Sequence, residues 1–411
     1  MKSRITAAIG AAVLALGLAA CGSDQGTTGA QGAVPPGDPI VIGYIGSDTG
    51  GFKATYGRGK ATINAWVTAV NDAGGINGHA VRVVTKDDAG DPATGLKVAK
   101  ELVEGEKVVA IVGEASGTTS SWAPYMQEKG VPVVGGPPVQ QHFATNPNSF
   151  PTGAGTLVTS LGQVVMAKEA SATALGIAYC AESPVCDLST IFRTATGIVG
   201  GVTLANSSSV AATTSDYSAT CVAMKQDGVN AIYSTLEATA TQRLFADCAR
   251  QGLDVQQSEG MGSYDVGWLK DPMMDGTLVV SGQAVWTDEA TPGGKEMLDA
   301  LGKYAPDVTE EINSTVHTTW IGGELFRKAA EAADLGPTST PADVKRGLYA
   351  LDGETLGGMA APLKYTEGQP TVLKCWFGSQ ITGGALTAMN DNKPTCVSDA
   401  DVATLAAALR G

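Results

Sequence analysis

The sequence has few basic residues, few histidines and none of the short motifs that mark common catalytic sites. It contains 27 Lys and Arg against 41 Asp and Glu, for a formal net charge of −14. This balance leaves no basic stripe for DNA, RNA or anionic lipid headgroups, so no nucleic-acid partner is expected. G-x-S-x-G, H-E-x-x-H and phosphate-loop motifs are missing, and there are only three histidines. The sequence therefore predicts that the protein is not an enzyme.

The N-terminus carries an apolar run that is too short to span a membrane as a helix. Lys2 and Arg4 precede this run, and small residues end it, an order typical of an export signal. The ending Leu18-Ala19-Ala20-Cys21 resembles a bacterial lipobox, in which the cysteine is lipidated and becomes the new N-terminus. The resemblance implies a signal peptide over residues 1–20 and a lipid anchor on Cys21, outside the cytoplasm. An ordinary signal peptide that ends near a cysteine is the alternative.

Six further cysteines remain, and an even number in an exported chain suggests disulfide bonds. Metal binding is the rival interpretation, but no two cysteines have the spacing of a zinc knuckle, and every histidine lies far from them. We therefore expect neither a metal nor another cofactor. Six cysteines allow fifteen pairings, among which the sequence does not choose. Our hypothesis is the nearest-neighbour set: Cys180–Cys186, Cys221–Cys248 and Cys375–Cys396.

Beyond a polar tether over residues 21–38, short apolar runs alternate with helical periods. Residues 40–45 form a buried strand pattern, and Ile63, Trp66, Val67 and Val70 share one face of a helix. Further strands are predicted at residues 81–84, 108–112, 131–134, 174–179, 231–233 and 278–280. This alternation implies right-handed crossovers and parallel, doubly wound sheets. The chain is longer than a domain with a single hydrophobic core usually is, so we expect two α/β lobes.

Three segments in the first half of the chain together form a recognisable sequence pattern. They are Ala69-Val70-Asn71-Asp72-Ala73-Gly74-Gly75-Ile76-Asn77-Gly78, then Thr85-Lys86-Asp87-Asp88-Ala89-Gly90-Asp91-Pro92, then Val108-Val109-Ala110-Ile111-Val112-Gly113. Together they resemble the type I periplasmic binding proteins, in particular the branched-chain amino-acid binding subunits of ABC importers. The resemblance implies two Rossmann-like α/β lobes joined by three hinge crossings, near residues 151–155, 281–287 and 361–365. Lobe 1 would comprise residues 39–152 and 286–361, and lobe 2 residues 153–285 and 362–411.

Candidate ligand contacts in lobe 1 follow the ends of its predicted strands, where doubly wound sheets bind ligands. Ser116, Gly117 and Thr118 enter a helix through a run of hydroxyls, which suits a carboxylate. Plain helix capping is the alternative. The family resemblance implies a ligand-covering aromatic after the first strand, for which Tyr56 is the closer match and Phe52 the other candidate. Either ring could instead pack its own loop.

A proline-rich turn forms a second candidate wall of lobe 1. Pro138 and Val139 follow the fourth predicted strand, where the family resemblance implies a hydroxyl and a backbone carbonyl. Because proline has no N–H donor, this wall should be drier than in amino-acid binders.

Lobe 2 should supply a carboxylate if the ligand carries an ammonium group. The family resemblance implies an acid in the segment 260–265, where Asp265 and the neighbouring Tyr264 are candidates. Glu237 stands where the family often has an aromatic. Both acids could instead be solvated residues at helix starts. These departures leave amino-acid specificity open.

The resemblance implies a monomeric, lipid-anchored solute-binding protein outside the cytoplasm. It would capture a small polar or carboxylated ligand, such as an amino acid or related compound, between two closing lobes. Its partners would be the permease and ATPase subunits of an ABC importer. The alternative is a ligand-sensing subunit of the same fold that partners a receptor or kinase.

Overall fold

The computed structural model describes residues 36–182, 186–287 and 291–408. The predicted signal peptide and Cys21 lie outside the described residues, as does most of the tether. Strands β1 to β5 form a parallel sheet in the order β2-β1-β3-β4-β5. Their bounds are Ile40–Gly46, Val81–Asp87, Ile111–Val112, Val133–Val134 and Ser149–Phe150.

A second sheet takes up most of the remaining strands, in the order β14-β13-β10-β9-β8-β6-β7, with β15 paired to β13. Strands β6 to β10 are parallel, whereas β13 runs antiparallel to β10. The bounds of β6 to β10 are Ala174–Cys180, Thr203–Val210, Ala231–Ser234, Gln256–Gly260 and Leu278–Ser281. Those of β13 to β15 are Cys375–Thr382, Ala385–Ala388 and Thr395–Cys396. Strands β11 (Asp352–Glu354) and β12 (Leu363–Lys364) form a separate pair.

Helices cover both faces of each sheet, which is the doubly wound arrangement that the sequence predicts. Helices α1 to α5 span Lys53–Tyr56, Gly59–Asp72, Pro92–Lys100, Thr119–Lys129 and Gln141–Thr145. Helices α6 to α9 span Thr156–Glu169, Ser189–Val199, Ser218–Gln226 and Ala238–Arg250. Helices α10 to α14 span Pro292–Tyr304, Pro306–Thr309, Ser314–Ala332, Pro341–Ala350 and Asp399–Ala408. The prediction of two doubly wound α/β lobes is confirmed.

Side-chain alternation along β1 explains why lobe 1 has a helix layer on each face. Ile42 and Tyr44 join the core formed with α2 and α12, while Ile45 joins a separate core formed with α3 and α4. Successive strand residues point to opposite faces, so one apolar strand serves both cores. The predicted face of α2, including Ile63 and Trp66, is buried in the first of these cores.

Helix α12 approaches the first sheet unusually closely at Gly322. A Cβ atom at this position would lie 2.7 Å from the Cα of Gly113. Gly113 has φ +60°, which favours glycine, and the chain turns there at the end of β3. The paired glycines therefore hold the start of the following loop against α12.

The three predicted crossings lie side by side. Gln283 Nε2 donates to Thr152 Oγ1 at 2.7 Å, the N–H of Ala284 donates to Met359 O at 3.0 Å, and Tyr365 Oη donates to Pro151 O at 2.7 Å. The first crossing leaves β5 at its carboxyl end and the second leaves β10 at its carboxyl end. Both sheets therefore direct their carboxyl ends toward one shared region.

The structure contains the three nearest-neighbour disulfides, Cys180–Cys186, Cys221–Cys248 and Cys375–Cys396. Within the described residues no helix has both the length and the apolar character needed to cross a membrane. Among the parallel strands of the two sheets, β5, β7 and β9 were not predicted from the sequence, and β3 begins at Ile111 rather than at residue 108.

Candidate functional site

The carboxyl ends of β1, β2 and β3 carry a cluster of buried polar groups. Ser47 follows β1, Asp88 follows β2, and both side chains are fully buried. Asp88 accepts hydrogen bonds from Ser47 Oγ at 2.6 Å, Ser116 Oγ at 2.5 Å and Thr118 Oγ1 at 2.7 Å. One buried carboxylate thus fixes the loop for which ligand contacts were predicted.

Helix α4 begins directly after this loop. Thr118 is its N-cap residue but makes no side-chain capping hydrogen bond, because its hydroxyl is directed at Asp88. Trp122 Nε1 donates to Ser116 Oγ at 3.1 Å from the first turn of the helix. The hydroxyls of Ser116 and Thr118 are therefore engaged within the protein, and only Gly117 of the three predicted residues is partly exposed.

Glu114 lies beneath the same loop and is fully buried. Its Oε2 accepts the N–H of Ser116 at 2.8 Å, while its Oε1 has no hydrogen-bond partner. The nearest cationic group is His142 Nε2, at 3.5 Å. Burial raises the pKa of Glu114, and the neighbouring His142 and the N–H of Ser116 oppose that shift. Glu114 Oε1 therefore faces the imidazole of His142 in the interior, below the loop.

Two aromatic residues follow β1, and the structure places them differently. Phe52 is 43% exposed, and its ring lies directly against Gly117. Tyr56 lies deeper, where its hydroxyl accepts a hydrogen bond from Gln140 Nε2 at 3.3 Å. Burial and the charge of Glu114 raise the pKa of Tyr56 to about 12, so its phenol stays protonated. Phe52 is therefore the more accessible aromatic of the pair.

The proline-rich turn closes the other side of this surface. Pro138 is half-buried, and Val139 is 57% exposed at its tip. Gln140 links the turn to the rest of the site, because its Nε2 also donates to Ser116 O at 3.1 Å. The lobe 1 candidates Tyr56, Ser116, Gly117, Thr118, Pro138 and Val139 thus lie in one region, in which Ser116 and Thr118 are buried and the other four are at least partly exposed.

Lobe 2 presents a second buried carboxylate at its strand ends. Glu259 is fully buried in β9, and its Oε1 accepts the N–H of Ser234 at 3.2 Å, at the end of β8. Its Oε2 has no hydrogen-bond partner. Burial raises the pKa of Glu259 well above its ordinary value, and the Ser234 N–H opposes this only in part.

An aromatic column connects the two lobes beside the crossings. The ring of Tyr264 lies 5.5 Å from that of Trp286 in the second crossing, which in turn lies 5.6 Å from the ring of His317 on α12. All three side chains are almost completely buried. His317 Nε2 has no hydrogen-bond partner, and burial lowers the pKa of this imidazole to about 3.

The two acids predicted in lobe 2 are on its surface. Asp265 is exposed, and its Oδ1 accepts the N–H of Gly267 at 2.7 Å as the cap of a short 3₁₀ helix, Val266–Lys270. Glu237 is exposed at the start of α9 and has a 3.4 Å contact with the hydroxyl of Thr239. The buried acid of this region is Glu259, one residue before the segment that the sequence suggested.

The first disulfide lies at the same edge of lobe 2. Cys180 is the last residue of β6, and the carbonyl of its partner Cys186 accepts the hydroxyl of Thr235 at 3.0 Å, just after β8. Cys186 is therefore held next to the strand ends. Within the described residues, no group of three or more His, Cys, Asp or Glu side chains is arranged to hold a metal ion.

Sequence reasoning missed Asp88, Glu114, Gln140 and Glu259 as site residues. Asp88, Glu114 and Gln140 each follow a predicted strand or turn, whereas Glu259 lies in β9, which was not predicted. The missing signal was burial, because a sequence does not show which of several neighbouring acids is directed inward.

Two doubly wound lobes, three adjacent crossings and buried polar groups at both sets of strand ends define a two-lobed protein of the ligand-binding class. The chain matches the model of the periplasmic binding protein family over residues 39–385. A Leu/Ile/Val-binding protein homologue of Brucella melitensis is 25% identical over 342 residues, which cover 80% of this chain and 87% of that protein.

Solved structures show the same fold. A branched-chain amino acid ABC transporter protein of Thermus thermophilus with bound valine has a TM-score of 0.76 at 16% identity, over 92% of this chain and 100% of that chain. A solute-binding protein of R. palustris in complex with 4-hydroxybenzoate has a TM-score of 0.68 at 21% identity, over 87% of this chain and 96% of that chain.

The chain belongs to the periplasmic binding protein family. Family membership confirms the prediction of an extracytoplasmic solute-binding protein and the prediction that it is not an enzyme.

Proposed function

We propose that this protein captures a small polar ligand, an amino acid or a related compound, between its lobes and delivers it to an ABC importer. The observation that carries the proposal is the path of the chain between the lobes. Because the crossings leave β5 and β10 at their carboxyl ends, the polar groups of both sheets face one cleft. Closure of such a cleft around a ligand is the typical hinge motion of two-lobed binding proteins.

The buried carboxyl groups favour a ligand with hydrogen-bonding groups. Glu114 in lobe 1 and Glu259 in lobe 2 each have one carboxyl oxygen without a hydrogen bond, and burial raises the pKa of both. A buried polar group without a partner costs about 1–3 kcal/mol, which a hydrogen bond to the ligand would recover. Valine and 4-hydroxybenzoate, which are bound in two similar solved structures, suggest the expected size of the ligand.

Delivery to a permease also requires a position close to the membrane. We propose that Cys21 is lipidated and that residues 21–38 form a flexible tether, which suits their Gly-, Ser-, Thr- and Pro-rich composition. Mass spectrometry of the N-terminal peptide from membrane-extracted protein should show acyl groups on Cys21. Replacement of Cys21 by Ser should release the protein from the membrane, and retention of the variant would contradict the anchor.

Isothermal titration against amino acids, their amides and small aromatic acids tests ligand capture. We expect at least one compound to bind with a 1:1 stoichiometry and to make the protein more compact in small-angle scattering. Uptake of that labelled compound by cells that lack the protein then tests delivery. Normal uptake in those cells would contradict the importer role.

A further inference from the structure

Three backbone donors of the lobe 1 loop, those of Ser116, Gly117 and Thr118, are already used within the protein. The N–H of Ser116 donates to Glu114 Oε2 at 2.8 Å, that of Gly117 to Ser47 Oγ at 3.0 Å, and that of Thr118 to Ser116 Oγ at 3.0 Å. An anion bound at this loop needs such N–H groups, since they supply the positive ends of the local dipoles. Here they are directed at groups of the protein itself.

The hydroxyl donors of the loop are used as well. Ser47, Ser116 and Thr118 all donate to the buried carboxylate of Asp88. Asp88 therefore occupies the position of an anion among these hydroxyls. A ligand carboxylate could take over one of them only by leaving Asp88 with fewer hydrogen bonds in a buried position, which is costly for a charged group.

The proline-rich turn adds no donors to replace them. Pro137 and Pro138 have no N–H, and Val139 exposes only methyl groups. Both contacts recorded for Gln140 Nε2 are inside the protein, to Tyr56 Oη and Ser116 O. The surface between Phe52 and Val139 is thus apolar at its edges and already hydrogen-bonded at its centre.

The acidic groups below this surface do not favour an anion. Asp88 and Glu114 are both fully buried there, and burial raises the pKa of Glu114. Among the described residues, neither acid forms an ion pair with a lysine or arginine, and the basic side chain of His142 lies 3.5 Å from Glu114. Since screening is weak in a buried environment, the Asp88 carboxylate would repel a further negative charge at this position.

We propose that lobe 1 binds the end of its ligand that carries no negative charge, and that the ligand class has a carboxamide, alcohol or amine at that end in place of a free carboxylate. This inference rests on the proposed function, because it describes one wall of the same cleft. Phe52 contacts the apolar part of the ligand, and the uncharged end lies between Gly117 and Val139.

Matched pairs of compounds test the inference by isothermal titration of the full-length protein. The pairs are leucine and leucinamide, benzoate and benzamide, and 4-hydroxybenzoate and 4-hydroxybenzamide. In each pair that binds, we expect the amide to bind at least about tenfold more tightly, as for the loss of one charge-assisted hydrogen bond. Equal or tighter binding of the carboxylates overturns the inference and leaves the proposed function intact. If no member of any pair binds, the proposed function fails, and the inference fails with it.

A variant with an added hydroxyl tests where the uncharged end of the ligand binds. Val139→Thr places one O–H donor on the apolar wall and should raise carboxylate affinity relative to the amide by about fivefold, as expected for one hydrogen bond. Val222→Thr, the same change at a valine that is 40% exposed on α8, is the matched control and should change neither affinity. An unchanged affinity ratio in Val139→Thr overturns the inference, because the ligand end would then lie elsewhere.

Discussion

The buried His317 should make the stability of the protein depend on pH in a way that a single substitution removes. Its ring is 1% exposed, lies against Trp286, and has an Nε2 atom without a hydrogen-bond partner. Burial lowers the pKa of His317 to about 3. The unfolded chain, in contrast, should titrate this residue near its ordinary value of about 6.5.

The sign of the effect follows from proton linkage. Because the folded pKa of His317 is the lower one, the unfolded state takes up the proton first, and stability is lost as the pH falls from about 6.5 toward 3. Between pH 7 and pH 5 the difference between the two pKa values corresponds to a loss of about 2 kcal/mol in the free energy of unfolding. Well above pH 7, His317 is neutral in both the folded and the unfolded state, so it does not make the free energy of unfolding depend on pH.

Urea unfolding of the wild type and His317→Gln at pH 7 and pH 5, followed by tryptophan fluorescence, measures this contribution. Acidic groups also titrate in this range, including Asp48, whose pKa burial and the neighbouring Asp87 raise to about 6. These groups are present in both proteins, so they cancel in the difference between them. The stability of wild type relative to the variant should fall by about 2 kcal/mol from pH 7 to pH 5.

The control is Val222→Thr, at an exposed valine of α8. Because neither side chain titrates, its stability relative to wild type should be the same at the two pH values. If wild type and His317→Gln differ in free energy of unfolding by the same amount at pH 7 and pH 5, the argument from burial is refuted.

Three further substitutions test the packing around the site and the lobes, each by its urea unfolding midpoint. Asp88→Asn should lower the free energy of unfolding by about 1–3 kcal/mol, since an amide offers a single acceptor oxygen to three buried hydroxyls. An unchanged stability would show that these hydroxyls find other partners. Replacing both Cys221 and Cys248 by Ser removes a disulfide that spans 27 residues and should lower the free energy of unfolding by about 3–4 kcal/mol. Equal stability of the oxidised and the reduced wild type would contradict this expectation. Gly322→Ala should cost about 1–3 kcal/mol, because its Cβ would press on Gly113, and an unchanged midpoint would mean that α12 can shift without loss.

Strongly periodic elements were predictable from the sequence. The face of α2 with Ile63 and Trp66 is buried, and α3 begins as its sequence indicates, with Asp91 Oδ1 accepting the N–H of Thr94 at 2.7 Å ahead of Pro92. Apolar periodicity and capping chemistry act over a few residues, so they need no knowledge of the tertiary structure.

Polar strands were not predictable in the same way. Strand β7 (Thr203–Val210) contains three consecutive serines at the edge of its sheet, and β9 (Gln256–Gly260) has the sequence Gln-Gln-Ser-Glu-Gly. Neither has an apolar run or a strict alternation. Their strand conformation comes from pairing with neighbours, β6 for the first and β8 and β10 for the second, and that pairing is a tertiary contribution.

Sequence reasoning predicted which loop carries candidate site residues, but not which hydrogen bonds their side chains make. Strand-end reasoning identified the loop of Ser116, Gly117 and Thr118, yet Asp88, thirty residues from Thr118 in sequence, determines where two of its hydroxyls point. In lobe 2 the same reasoning identified the segment with Asp265 and missed Glu259. A hydrogen bond between distant segments depends on their register in three dimensions, which local sequence patterns do not contain.

The two lobes contribute differently to the cleft, and the difference bears on how closure depends on the ligand. Tyr264, Trp286 and His317 form an aromatic contact beside the hinge that involves no ion pair, so it gives closure little chemical selectivity. Selectivity must then come from the strand ends. There, Glu114 and Glu259 each have an oxygen without a hydrogen bond. If the protein captures its ligand as proposed, a ligand group that hydrogen-bonds to these oxygens would lower the free energy of the ligand-bound form. We therefore expect lobe closure to depend more strongly on ligands that hydrogen-bond to these carboxyl groups than on ligands that only fill the space.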